Sequence, residues 1–168
     1  MAIERTLILV KPDGLVKSLT GNIISRLSEA KLIIIGAKMV KVHRELAVKH
    51  YEHLQERPFF GELIDYLMGN VHKVNRVMAM VYEGEDAIKK IRDIVGDTDP
   101  EKANPVSIRG AYGRITRSGV FENVVHASSS LEDAEKEIKL WFKPEEIVSD
   151  IFPVKEVVLE KIKTKVWA

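Results

Sequence analysis

Four short runs of β-branched and aliphatic residues, separated by stretches of helical spacing, limit most strongly what this chain can fold into. The runs lie at 5–11, 32–42, 77–82 and 123–127. Between them apolar residues return every three or four positions, the period of a helix with one buried face. Ile23, Ile24, Leu27 and Ala30 follow the first run, and Leu46, Ala47, Tyr51 and Leu54 the second. Phe60, Leu63, Ile64 and Leu67 form a second stripe before the third run. Ile88, Ile91 and Val95 come after it, and Ala134, Ile138 and Trp141 close the pattern. Strand, helix, strand, helices, strand, helix, strand, helix amounts to two βαβ halves. That order predicts an α+β, ferredoxin-like (split βαβ) fold: a four-stranded antiparallel sheet with helices on one face. A doubly wound parallel sheet is the alternative; it suits four strands poorly, and no Gly-rich phosphate turn follows the first of them. At 168 residues the expectation is one domain spanning 1–168.

Local signals punctuate this frame. Pro12-Asp13-Gly14 stops the first strand immediately after Lys11, because Pro lacks a donor and Asp-Gly favours a turn. Thr20 suits a helix cap, Gly36 a bulge in the second strand, and Pro58 a first helical position. One helix is predicted over 45–54 and another over 85–95. Asp99-Pro100-Glu101 reads as a further helix start. Ile115 and Val120 flank a connection ending in Ser118-Gly119, which predicts a β-hairpin. The hairpin is expected to lean out from the body. Arg114 and Arg117 would be solvated or face a neighbouring subunit, and the outer end would be dispensable for chemistry.

The fourth run carries the chemistry. It holds His126 and is followed by Ser128, Ser129 and Ser130. Ser130 with Asp133 three residues on is a capping signal, so a helix starts there. Glu137 falls on the apolar stripe of that helix, where a carboxylate is costly unless partnered, and the nearby candidates are His126 and Ser128. A carboxylate so placed orients an imidazole for chemistry at its other nitrogen. The plainer alternative is a core histidine satisfied by a hydrogen bond.

Other patterns carry less. His50 and His53 stand at i and i+3 on a helix, but with no third ligand well placed a solvated helix face is the simpler reading. Asp97 and Asp99 resemble a carboxylate pair for a cation, although one Asp is more simply a cap. The stretch 109–113 partly matches an RNA-binding strand signature and lacks its aromatic residue. Neither a P-loop nor a Rossmann glycine motif occurs. Without cysteine there is no disulfide and no zinc–thiolate site. A net charge of +1 calls for no nucleic acid, and the lack of a long apolar run points to a cytoplasmic chain with no membrane partner. Lys11, Arg92, Arg109 and His126 can instead converge on the phosphates of a nucleotide, with Phe59 offering a face for its base.

These residues resemble a known family. Asn123-x-x-His126-Ala127-Ser128 is similar to the active-site signature of nucleoside diphosphate kinases, Asn-x-x-His-Gly/Ala-Ser-Asp. Further blocks follow the family's order along nearly the whole chain. They are 10–14, His50-Tyr51, 57–60, Arg92 with Thr98, 107–110, 134–138 and 140–142. The resemblance implies ping-pong transfer of a γ-phosphoryl group from a nucleoside triphosphate to a nucleoside diphosphate, with little base selectivity. His126 would be the nucleophile, held by Glu137 with Ser128. Lys11, Tyr51 and Asn123 would surround the ribose hydroxyl and the transferred group. Arg92, Thr98 and Arg109 would bind phosphates, and Phe59 would stack on the base. Mg2+ would arrive on the nucleotide rather than on protein ligands, and the assembly would be a homohexamer. Three departures stand out: Ser129 replaces the family's Asp, and the segments 69–76 and 114–121 are longer than usual. A nucleotide-sensing or RNA-binding module with a vestigial site is the competing reading, and it implies binding without transfer.

Overall fold

The computed structural model describes residues 2–158; the ends of the expected 1–168 domain lie outside the described residues. Strand β1 (Ile3–Val10) runs into α1 (Pro12–Val16) and α2 (Thr20–Leu27). The edge strand β2 (Ile33–Lys41) leads to α3 (Arg44–His50) and α4 (Phe60–Leu67), and β3 (Arg76–Glu85) to α5 (Ala87–Val95) and α6 (Ile108–Tyr112). Two short strands, β4 (Arg114–Ile115) and β5 (Phe121–Glu122), precede β6 (Val125–Ala127) and α7 (Leu131–Trp141). The main sheet has the order β2-β3-β1-β6, and every neighbouring pair is antiparallel.

Helices cover both faces of this sheet, which corrects the expectation of one. The reason is visible in β1, where Leu7, Ile8, Leu9 and Val10 are all 0% exposed. Successive side chains of a strand point to opposite faces, so a continuous apolar run must be buried on two sides. Leu7 and Leu9 pack with Val77, Ala79 and Val81 of β3 under α3, α4 and α7. Ile8 and Val10 pack with Met80 and Tyr82 under α2, α5 and α6.

Local signals fared unevenly. The register of β2 against β3 shifts between Ile34 and Gly36, the bulge that Gly36 suggested. Ser130 caps α7, accepting from the Asp133 N–H at 3.1 Å. Thr20 does not cap: it is the first residue of α2, and Leu19 precedes it without a side-chain cap. Pro58 lies in the turn before α4. The helix expected over 45–54 ends at His50 and continues as a separate 3-10 turn, Glu52–Leu54. No helix begins at Asp99; Asp97 accepts from the Asp99 N–H at 2.8 Å and Asp99 from the Glu101 N–H at 3.0 Å. Such side-chain turns offer the backbone an alternative to the helix ladder. Conversely, Pro12 opens α1 rather than a bare turn. Among the described residues, no helix is long and apolar enough to cross a membrane.

Candidate active site

Nine of the ten residues singled out from the sequence line one cavity of about 470 Å³. They are Lys11, Tyr51, Phe59, Arg92, Thr98, Arg109, Asn123, His126 and Glu137. Ser128, the tenth, stands behind Glu137. The centre of the site is His126, on β6 opposite Leu9 of β1. Glu137 reaches back from α7 and brings Oε1 to 2.9 Å from His126 Nε2. The approach is oblique to the ring rather than along a straight hydrogen bond. Its other oxygen accepts from Ser128 Oγ at 2.6 Å. Ser128 Oγ in turn accepts from the Leu7 N–H at 3.0 Å, tying the carboxylate to the central strand.

Packing holds the imidazole from a second side. The His50 ring stands edge-on to it, with centroids 4.4 Å apart, and Trp141 Nε1–H donates to His50 Nδ1 at 3.2 Å. His50 is 4% exposed, which corrects the reading of a solvated helix face. The signal was present: His50 follows Leu46 and Ala47 by four and three residues, on the stripe that faces inward. His53, by contrast, is exposed.

Entry into β6 is strained. Val124 has φ +56°, a conformation costly for a β-branched residue. The Val125 N–H bonds Asn123 O at 2.7 Å and closes a three-residue turn around it. Asp13 Oδ2 accepts the Val124 N–H at 3.1 Å, while Val124 O accepts from the Lys11 N–H at 2.9 Å. Gly14 makes room for this: a Cβ there would stand 3.0 Å from Val124 O and 3.1 Å from Val10 Cγ1. The sharp turn aims Asn123 and His126 into the same cavity.

Cations occupy the inner wall. Lys11 is 4% exposed; its Nζ donates to Asn123 Oδ1 at 2.8 Å and lies 5.3 Å from the Tyr66 ring centre. Asn123 Nδ2 donates to Thr98 O at 2.8 Å, so the 96–107 loop is pinned beside it. Burial, reinforced by the nearby Arg109 and only partly opposed by Asp13, brings the Lys11 ammonium down to about 7. Arg109 is carried by α6, a helix the sequence reading missed, which Ser107 caps by accepting from Gly110 N–H. Its guanidinium donates to Gly96 O and Val125 O, each at 3.0 Å. Burial lowers it to about 10. Arg92, on α5, is half-buried, and Phe59 is 49% exposed.

The hairpin is present, with Arg114 opposite Glu122 and Ile115 opposite Phe121. It does not lean away. Gly119, Val120 and Phe121 line the cavity, so its outer end forms part of the site, and Arg114 is paired with Glu122. Ser129, one residue beyond Ser128, donates to Asp133.

Burial lowers the His126 ring well below the usual imidazole value, and Lys11 and Arg109 push the same way. A lowered value means that the neutral ring persists as the pH falls. Glu137 faces Nε2, which leaves Nδ1 as the ring nitrogen free of partners among the described residues. We expect the His126 ring signals in NMR to remain those of the neutral Nε2–H tautomer as pH falls through about 6.5, where an ordinary histidine protonates. Titration at or above that value would show that burial does not govern this ring.

His50, His126 and Glu137 offer three ligand atoms within 4.8 Å of one another. Two ligands of one tetrahedral ion at about 2.0–2.2 Å stand farther apart than the 2.9 Å between His126 and Glu137. The trio as it stands is therefore too tightly closed to hold such an ion. An arrangement of buried cations, one neutral imidazole and an exposed aromatic face suits a phosphate ester that carries a flat ring.

Comparison with known proteins agrees with that chemistry. The family described as nucleoside diphosphate kinase matches residues 4–147. A nucleoside diphosphate kinase of Pyrococcus furiosus is 48% identical over 145 residues, covering 86% of each chain. One of Bacillus licheniformis is 44% identical, over 88% of this chain and 93% of its own. The Aquifex aeolicus nucleoside diphosphate kinase superposes with a TM-score of 0.77 at 43% identity, covering 88% of this chain and 100% of that one. That of Borrelia burgdorferi, solved as a transition-state mimic with vanadate and ADP, gives 0.78 at 32% identity, over 88% and 92%. With the fold, the matched span and this identity over most of its length, the chain belongs to the nucleoside diphosphate kinase family.

Proposed function

We propose that this phosphotransferase moves the γ-phosphoryl group of a nucleoside triphosphate to a nucleoside diphosphate in two half-reactions at His126. The observation that carries this reading is the imidazole set in the cavity with Nε2 against Glu137 and Nδ1 free. In the first half-reaction Nδ1 attacks the γ-phosphorus, the bond from phosphorus to the bridging oxygen breaks, and the diphosphate leaves with the electron pair. As Nδ1 becomes bonded to phosphorus the ring turns cationic, and the Glu137 carboxylate at Nε2 stabilises it. The second diphosphate then attacks the same phosphorus and restores the ring. Transfer through such a loose transition state is mostly positioning and charge stabilisation. Lys11 and Arg109, with Arg92 and Thr98, face the phosphates; Tyr51 and Asn123 lie beside the transferred group, and Phe59 stacks on the base.

Mg2+ belongs to the substrate in this reading. It is a hard cation that keeps its waters and binds through phosphate oxygens, and the buried side of the cavity presents Lys11 and Arg109, which repel a cation. Residues 1–168 are proposed to form one domain acting in the cytoplasm, where its nucleotide substrates are. A homohexamer is proposed as the assembly; the exposed Ile33, Ile34 and Met39 on the edge strand β2 support self-association. A vestigial binding module is not favoured, since the chemistry-bearing side chains share one cavity.

The test separates the halves. Protein incubated with γ-labelled MgATP and freed of nucleotide should carry one acid-labile, base-stable phosphoryl group. Adding GDP, CDP or dTDP should discharge it into the triphosphate. A stacking face reads no base edge, so the three rates should lie within about tenfold, whereas a hydrogen-bonding reader can discriminate by about 10⁴. Failure to form the labelled protein would overturn the reading.

A further inference from the structure

Glu122 ends β5 with 3% of its surface exposed, and three donors from three separate segments close on its carboxylate. Arg114 Nε of β4 lies 2.5 Å from Oε2, and Lys17 Nζ, just after α1, lies 3.3 Å from the same oxygen. His72, in the turn between α4 and β3, brings Nε2 to 2.9 Å from Oε1. The His72 ring also packs edge-on against Tyr66, with centroids 5.6 Å apart. Burial alone would raise this carboxyl, but the hydrogen bonds from Arg114 and His72 outweigh it and hold it at about 2.

The two segments longer than the family pattern, 69–76 and 114–121, thus meet at one buried carboxylate. The hairpin needs such an anchor. Its ladder consists of two residue pairs, and an isolated two-stranded hairpin is marginal in water. Its outer end and returning strand nevertheless form cavity wall, with Gly119, Val120 and Phe121 on the lining. Ion pairs exposed to water contribute little; a buried carboxylate shared by several donors holds together the segments that carry them, because losing the whole set would strand a charge.

We infer that Glu122 and His72 are positioning residues that clamp the 114–122 hairpin onto the cavity and so set how tightly nucleotide is held, without acting in the transfer step. The inference rests on the cavity being the nucleotide site. Neither residue lines it, so both can be changed without touching substrate directly.

The experiment measures KM and kcat for MgATP with GDP in Glu122→Gln, His72→Ala, His72→Gln and the double variant Glu122→Gln/His72→Ala. Thermal unfolding midpoints are recorded alongside. Glu122→Gln and His72→Ala should each raise KM about tenfold while kcat at saturation stays within about twofold, a size typical of coupled neighbours. His72→Gln keeps a donor toward Oε1 and should restore most of the affinity. The double variant should be no worse than the weaker single, because both changes open the same clamp. KM unchanged in the single variants would overturn the inference. So would a fall in kcat at constant KM, which would route the effect through Asn123 and Lys11. Should Glu122→Gln fail to fold, His72→Ala decides alone, since Arg114 and Lys17 still neutralise the carboxylate. Label uptake by the unaltered protein at saturating MgATP tests the nucleotide reading separately, so its failure is distinct from failure of the clamp.

Discussion

Replacing His126 by alanine is expected to leave a folded protein that takes no label from γ-labelled ATP and transfers nothing to GDP. The loss should be about 10⁴-fold or more, the scale seen when a covalent nucleophile is removed. Among the described residues no neighbour is placed to take over. His50 is the nearest ring, but it is buried and accepts from Trp141 at Nδ1, and burial together with the His126 ring holds it well below the usual imidazole range. Direct transfer between two nucleotides would require both in a cavity of about 470 Å³, a volume suited to one such ligand. Stability should change little. Glu137 keeps its hydrogen bond to Ser128, and the His126 side chain retains 16% exposure toward the cavity. Thermal unfolding with and without nucleotide checks this, and label persisting on the variant would remove His126 from its role.

Lys11→Met is the second large effect, and here activity and stability should move in opposite senses. Nζ is a buried cation aimed at the region where phosphoryl charge spreads, and losing one such preorganised donor costs about 10²–10³ in kcat. The same cation is unwelcome in the empty protein, where burial and Arg109 lower it to about 7. Between that value and the ordinary lysine range the unfolded chain binds a proton that the folded chain does not, so folding is disfavoured as pH falls through this window. Methionine has similar length and no charge to desolvate. We therefore expect kcat to fall by two to three orders of magnitude, about 10²–10³, while the unfolding midpoint at neutral pH holds or rises. Stability given up for a charged site is a familiar trade in enzymes. A midpoint that falls in step with kcat would show that Lys11 is needed for the fold rather than for phosphoryl charge.

Much of the site could be read from spacing because its parts are local. Ser130 and Asp133 lie within one turn, and Glu137 falls on the apolar stripe of the same helix, so its need for a partner upstream follows from periodicity and burial cost alone. The strands were equally legible, since runs of aliphatic residues hold their meaning whatever they pair with. Where the reading went astray, two local choices were nearly balanced. Asp99 can cap a helix or close a side-chain turn, and Pro58 can open a helix or precede one; which wins depends on contacts made elsewhere.

What the sequence by itself determined, then, is the four main strands, the helices that carry an apolar stripe, and the pairing that Glu137 seeks with His126 and Ser128. Tertiary structure alone decided how distant segments meet. Both faces of β1 are covered because helices from opposite ends of the chain pack on it. His50 became a support for His126 through Trp141, 91 residues away. Val124 took a left-handed conformation because Asp13 and Lys11, 111 residues earlier in the case of Asp13, hold its backbone. The hairpin turned inward because Glu122 is claimed by His72 and Lys17. Periodicity reports which residues seek burial, but it carries no term for which of them will bury one another; that choice is made by register, charge pairing and packed volume once the chain has closed on itself.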